Sequence, residues 1–154
     1  MSCDLLVFAP HPDDAEIHFG ASMARCVRAG GRVVLIDATA GEMGSRGDGV
    51  GRAREADAAA TALGLTHREN LGLPDGWLSA TDATARLALV QAIRHWRPCL
   101  IAAPHPHVSH PDHAACAQLA IDARKAAELH RLPGSDLPAW RGARLIAYEM
   151  ELPI

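Results

Sequence analysis

Leu5-Leu6-Val7-Phe8-Ala9-Pro10-His11-Pro12-Asp13-Asp14 is the stretch on which the fold turns. Its apolar run, residues 5–9, is too short for a helix and reads as a buried strand. The strand runs out into a His-Pro-Asp turn, and a helical pattern follows. A second stretch repeats that grammar: Leu100-Ile101-Ala102-Ala103, a loop, then His110-Pro111-Asp112-His113. Proline suits the first turn of a helix, where its missing N–H costs nothing. The first copy ends in a carboxylate and the second in an imidazole. Two such strand ends side by side bring His, Asp and His together, the donor set of a catalytic zinc with one position left open.

Outward from these two turns, the chain alternates strand and helix. Strand patterns cover residues 4–9, 32–38, 68–71, 99–103 and 145–148. Helical patterns cover residues 15–29, stopped by Gly30-Gly31, then residues 52–63, stopped by Gly64, and residues 111–129. A further helix, capped by Thr81 or Asp82 and ended by Pro98, carries Leu87, Val90, Ile93 and Trp96 on one side. On the first helix the apolar positions are Ile17, Phe19, Ala21, Ala24 and Val27. Residues 41–49 are too polar and too rich in glycine to be an element. The alternation predicts an α/β fold, a Rossmann-like, mostly parallel sheet with helices on both faces. In the usual doubly wound order, strands one and four are neighbours where the winding reverses, and ligands bind there, outside the carboxyl ends of the strands. Topology alone therefore places the two turns together.

Composition limits what such a site can serve. A chain of 154 residues, 49% hydrophobic, is one domain with a real core. A net charge of -3 gives no electrostatic reason to bind nucleic acid or an anionic membrane. No apolar stretch approaches the ~20 residues of a membrane span. Met1-Ser2-Cys3-Asp4 lacks the basic region of a secretory leader. Cys3, Cys26, Cys99 and Cys116 show no close pairing and read as small buried hydrophobes in a reducing compartment, so a cytoplasmic location is expected. Of nine histidines, His105, His107, His110 and His113 fall in one loop.

No G-x-G-x-x-G follows strand one, and the chain has neither a phosphate loop nor a G-x-S-x-G elbow. A metal hydrolase needs about three protein ligands, a free position for water and a base beside it. His11, Asp14 and His113 are the candidate ligands, and Asp13 is the spare carboxylate that can hold a proton. His110 can face the same cavity and donate to a developing oxyanion. Asp112 can orient a histidine. A lone His-Pro-Asp turn is more often just a helix start; two copies at two strand ends favour function. His105 and His107 read as a polar loop lip, His18 as a packed or rim residue, and His67, His95 and His130 as surface. Trp77, Trp96 and Trp140 read as core or rim aromatics, with Trp77 also placed to line a pocket.

With these residues set out, the chain resembles the LmbE-like, or PIG-L-like, family of zinc-dependent N-acetylglucosamine deacetylases. The resemblance rests on residues 9–16, Ala9-Pro10-His11-Pro12-Asp13-Asp14-Ala15-Glu16, and on His110-Pro111-Asp112-His113. Thr39-Ala40-Gly41-Glu42-Met43-Gly44-Ser45-Arg46-Gly47, Arg52-Ala53-Arg54-Glu55 and Asn70-Leu71-Gly72-Leu73-Pro74-Asp75 support it. It is most similar to the branch acting on N-acetylglucosaminyl-malate in bacillithiol synthesis. The resemblance implies zinc on His11, Asp14 and His113, Asp13 as general base and His110 as oxyanion donor. It also implies that Arg54 faces the sugar. Iron(II) fits the same ligands. The chain departs from the family pattern at Pro10 and His18, and its C-terminus is short for the family. The expectation is a single LmbE-like domain, residues 1–154, removing acetyl from an N-acetylglucosamine derivative. The partner is a small-molecule amino sugar, with a homo-oligomer left open. The rival expectations are an amidase acting on another acyl amino sugar or thiol conjugate, and a shortened relative that binds zinc or sugar without turnover.

Overall fold

The computed structural model of the protein describes residues 1–44 and 49–150. Ser45, Arg46, Gly47 and Asp48 of the glycine-rich loop, and residues 151–154, lie outside the described residues. The elements run β1 (Leu5–Ala9), α1 (Asp14–Arg28), β2 (Val33–Thr39), α2 (Gly49–Leu63), β3 (His67–Leu73), α3 (Ala83–Trp96), β4 (Leu100–Pro104), α4 (Pro111–Ala126) and β5 (Arg144–Tyr148).

The five strands form one parallel sheet in the order β3-β2-β1-β4-β5. Every residue of β1 and β2 is buried. Side chains alternate across a strand, so a strand covered on both faces reads as a nearly continuous apolar run; the polar residues of β2, Asp37 and Thr39, are buried with it. Leu6, Phe8, Val34 and Ile36 pack with Leu89, Val90, Ile93 and Trp96 of α3 and Leu119, Ala120 and Ala123 of α4. On the other face, Leu5, Val7, Val33 and Leu35 meet Ala15 and Met23 of α1 and Leu63 of α2. The helices thus lie on both faces, as the alternation predicts. The edge strands β3 and β5 are only partly covered.

Boundaries move where local chemistry is weak. α2 begins at Gly49, three residues before the expected start, and α4 ends at Ala126 rather than residue 129. β3 extends to His67 and Leu73 beyond the four residues expected, because its alternating burial dilutes the apolar signal. On α1 the inward residues are Ala15, Phe19, Met23, Cys26 and Val27. Ile17, expected on the packed stripe, is 70% exposed. Cys3 and Cys116 are buried as expected; Cys26 is half-buried and Cys99 exposed, and all four are free thiols.

α3 is tied to the segment that follows α4 by a buried cation. Arg94 of α3 donates to the backbone carbonyls of Ala127 (3.3 Å), Leu129 (2.5 Å) and Leu137 (2.9 Å). Carbonyls just beyond a helix end lack helical partners, and a planar guanidinium can take several at once. Asp82 caps α3, its side chain accepting from the amides of Thr84 and Ala85. No helix among the described residues is long and apolar enough to cross a membrane.

Candidate metal centre

β1 and β4 are direct neighbours, Leu5 opposite Leu100, and the chain winds to opposite sides from them. Their carboxyl ends deliver the two His-Pro-Asp turns to one place. The first turn is tight. Pro10 follows the last residue of β1, and its carbonyl accepts from the amide and hydroxyl of Thr39, both at 3.1 Å. His11 comes next, and the reversal into α1 is completed at Asp13, which has φ 114° and ψ -31°. That is a strained conformation for a residue with a side chain. α1 starts only at Asp14, so Pro12 precedes the helix instead of opening it. The second turn has five residues of slack after β4. There His110 is an ordinary N-cap at φ -74°, its Nδ1 accepting from the Asp112 amide at 3.2 Å. Pro111 is the first residue of α4, as expected.

The turns bring His11, Asp14 and His113 together, with one donor atom from each lying within 4.8 Å of the others. Oδ2 of Asp14 is the hub. It stands 3.0 Å from His11 Nδ1 and 3.4 Å from His113 Nε2, and it accepts the His11 amide at 3.1 Å. Two imidazoles and a carboxylate converging on one point fit a divalent ion of the zinc or iron(II) kind. Burial works against a charge on His11, but hydrogen bonding to Asp14 and the charge of that carboxylate, with Asp112 and Asp75 behind, raise its pKa to about 9.

The far nitrogen of His11 meets two more carboxylates. Nε2 lies 3.0 Å from Asp75 Oδ1 and 3.3 Å from Asp112 Oδ2. A metal-binding histidine commonly donates its other N–H to a carboxylate, which fixes the tautomer and the ring plane. Asp112 is fully buried. Its two oxygens also accept the amides of Gly76 (2.7 Å) and Leu78 (3.1 Å), so it anchors the turn after β3 as well as touching His11. Asp75 is buried too, accepting the Met43 amide at 2.7 Å. Against its own burial penalty, the Met43 N–H and His11 hold the Asp75 pKa below the ordinary carboxylate value.

A cavity of about 370 Å3 opens beside these groups, lined by His11, Asp13, Gly41, Met43, Gly44, Arg52, Asp75, Gly76 and His110. Partial burial, then the adjacent Asp14 charge, raises the Asp13 pKa, with Arg52 acting in the opposite sense. The His110 ring lies 4.4 Å from that of His113 and 5.3 Å from that of His11, centroid to centroid. Since its Nδ1 accepts a backbone N–H, its Nε2 is the nitrogen left to donate.

Arg54, expected to face the sugar, is exposed on α2 and does not line this cavity. Arg52 lines it instead. Two residues along a helix turn a side chain by about 200°, so the choice between these arginines is a choice of face. Gly41 and Gly44 decide it: a Cβ on either would collide with the Arg52 guanidinium. Gly41 also has φ +66°, which glycine adopts freely. Asp75 is the other residue that pattern reading passes over. Within Leu73-Pro74-Asp75-Gly76 it reads as turn punctuation, and nothing local marks it as a partner of His11. His105 and His107 contact each other, the His107 amide donating to His105 Nδ1 at 3.2 Å, and neither joins the His-Asp clusters.

Below the first turn, Arg68 of β3 ties three elements. Its guanidinium grips Asp37 of β2 at 2.7 and 3.0 Å, Glu16 of α1 at 2.5 Å and the Ala56 carbonyl at 2.9 Å. This planar, two-pronged pairing orients as well as binds. It fixes α1 against the sheet one turn below Asp13.

Residues 6–124 match the family model described as PIG-L: GlcNAc-PI de-N-acetylase. The 1D-myo-inositol 2-acetamido-2-deoxy-alpha-D-glucopyranoside deacetylase of Streptomyces griseus is 32% identical, over 87% of this chain and 52% of its own length. The diacetylchitobiose deacetylase of Thermococcus kodakarensis is 32% identical, over 88% and 54%. The chain thus spans about half the length of these curated relatives. Among solved structures, a conserved protein of Thermus thermophilus superimposes with a TM-score of 0.91 at 41% identity, covering 99% of this chain and 68% of that one. The N,N'-diacetylchitobiose deacetylase of Pyrococcus horikoshii gives 0.88 at 27% identity, covering 96% and 60%.

Proposed function

Because this chain belongs to the PIG-L, or GlcNAc-PI de-N-acetylase, family, we propose that it hydrolyses the N-acetyl group of an N-acetylglucosamine derivative with a divalent metal, zinc in the first instance. One observation carries the reading: His11, Asp14 and His113 converge within 4.8 Å at the wall of a cavity that Asp13 also lines. Names of relatives that act on acetylated amino sugars support it. The chain is read as one domain of this type, with a small-molecule substrate.

When bound by those three residues, the ion supplies Lewis acidity toward the amide carbonyl and lowers the pKa of water toward ~7. Asp13 lies beside Asp14 without being needed as a ligand. Its carboxylate takes the proton of the attacking water at one oxygen and returns it to the leaving amine. Its raised pKa suits a group that must both accept and release a proton. His110, its Nδ1 occupied by the Asp112 amide, donates from Nε2 to the oxygen that gains charge at the tetrahedral stage. Asp112 and Asp75 hold the far nitrogen of the His11 ring, so that Nδ1, beside Asp14, is the nitrogen that would serve the ion. Arg52 faces the substrate from α2.

The test is amine release from N-acetylglucosamine derivatives, with and without a chelator. Release that stops on chelation and returns with zinc or iron(II) is expected. No release from any acetylated or acylated amino sugar by metal-loaded protein would defeat the proposal.

A further inference from the structure

The two edges of the sheet are built differently. β3, His67-Arg68-Glu69-Asn70-Leu71-Gly72-Leu73, carries the features that keep an edge from pairing. It is polar and charged, and Arg68 pairs with Asp37 of the neighbouring strand. Its register against β2 shifts between Asp37 and Thr39, and Gly72 stands at φ +63°. β5, Arg144-Leu145-Ile146-Ala147-Tyr148, has neither register shift nor glycine, and Arg144 is its one charged residue. Among the described residues it pairs with β4 alone. The Arg144 amide donates to the Cys99 carbonyl at 3.1 Å, and the Tyr148 carbonyl accepts from the His105 amide at 2.9 Å. Successive residues of a strand point their backbone groups to opposite edges. Arg144, Ile146 and Tyr148 therefore direct theirs at β4, and the N–H and C=O of Leu145 and Ala147 face outward.

Apolar side chains flank that outward edge on both faces of the sheet. Ile146 shares the face of Tyr148, toward α1, and is exposed. Leu145 packs on the opposite face, against the core under α3 and α4. Ile121 of α4 is exposed as well. It stands three residues before Arg124, whose Nε donates to the Ala143 carbonyl at 2.8 Å, so it shares the side of α4 nearest the start of β5. Charge runs from one end of the strand to the other: Arg141 and Arg144 stand at its start and Glu149 just past its end, all exposed. A strand of the same sequence laid antiparallel meets each end with the opposite sign, whereas a parallel one meets like with like. We propose that β5 is the docking edge for a second copy of this chain, antiparallel about a two-fold axis through Ile146. Leu145 then exchanges both backbone hydrogen bonds with Ala147 of the second copy, and Ala147 does so with its Leu145. Ile146 faces Ile146 of the second copy as the close, non-hydrogen-bonded pair, and two five-stranded sheets join edge to edge. The pairing does not depend on the deacetylase reading.

Sedimentation equilibrium of the full chain at increasing concentration tests this. A micromolar Kd is expected, since one strand pair buries less than the ~1,600 Å2 of a standard interface. Ile146→Lys sets two like charges face to face and should weaken association at least about tenfold. Ile146→Glu should do the same. An equimolar mixture of those two variants should associate again, because residue 146 opposes itself across the axis. Ala147→Pro removes an outward N–H and leaves the bonding to β4 intact. It should give a monomer whose far-ultraviolet circular dichroism matches that of the wild type. Should Ala147→Pro fail to fold, the Ile146 variants, altered only at an exposed side chain, decide alone. Wild-type protein that stays monomeric up to about 200 μM overturns the proposal. So does a dimer that Ile146→Lys leaves unchanged, or one that the mixture does not restore.

Discussion

The two His-Pro-Asp turns share a tripeptide and do opposite things with it. After β1, a single residue separates the strand from His11, and the reversal forces Asp13 to φ 114° at the cavity wall. After β4, five residues of slack let His110 cap α4 in ordinary geometry, and Asp112 turns inward and is fully buried. One aspartate is exposed and strained; the other is buried and saturated with hydrogen bonds. Loop length, more than residue identity, separates them: the short connection leaves a strained carboxylate at the cavity wall and the long one a buried anchor.

Substitutions at the two aspartates should separate those roles. Asp13→Asn is expected to lower kcat by about 10²–10⁴-fold, the usual contribution of a positioned base, while metal analysis finds the ion still bound. Full activity would move the base elsewhere. Asp112→Asn replaces one acceptor oxygen by a donor facing a backbone N–H. We expect a stability loss of about 1–3 kcal/mol by urea unfolding and metal affinity weaker by about 10–100-fold. Equal effects at both positions would erase the contrast.

Beside the turns, Arg52→Ala should raise KM about tenfold, the worth of one charged hydrogen bond, whereas Arg54→Ala should stay within about 0.5 kcal/mol in stability and leave KM alone. Equal KM effects would mean that both arginines reach the substrate. Asp13→Gly should abolish activity yet stabilise the fold by roughly 1 kcal/mol, because relief of backbone strain exceeds the entropy cost of glycine. The matching Asp112→Gly change should destabilise it, and thermal melts of the pair test the opposite signs directly.

The smallest effect is one of pH. In the metal-free chain the pKa of His11 rises from 6.5 to about 9. Its protonated form therefore stabilises the fold fully below about 6.5, and that contribution fades as pH climbs through about 9. Melting of chelated protein should show the decline. Since a ligand imidazole must be neutral, metal uptake near pH 7 should release a proton, visible by calorimetry in two buffers of different ionisation enthalpy.

Much of this was legible in the residues. β1, β2 and β4 announce themselves because strands covered on both faces are nearly continuous apolar runs. Their adjacency follows from the winding rule, so the meeting of His11, Asp14 and His113 needed no coordinates to be expected. What stayed hidden depends on facing. Whether Arg52 or Arg54 looks inward turns on where α2 begins, and glycine at position 49 gives no sign of a helix start. Asp75 finds His11 only through a turn that Asp112 holds, and no spacing rule reaches between them. Ile17 looked like packing because apolar residues stand on more than one face of its helix.

His11 and Asp112 touch across 101 positions of sequence. A chain emerging from the ribosome therefore carries His11 and Asp14 long before anything stands opposite them. Until β4 slots in beside β1, those two residues are one imidazole and one carboxylate in search of a third donor. If His11, Asp14 and His113 hold an ion as proposed, that three-donor centre is completed only once α4 has been made. On that reading, ion uptake and the pairing of β4 with β1 are coupled steps of folding.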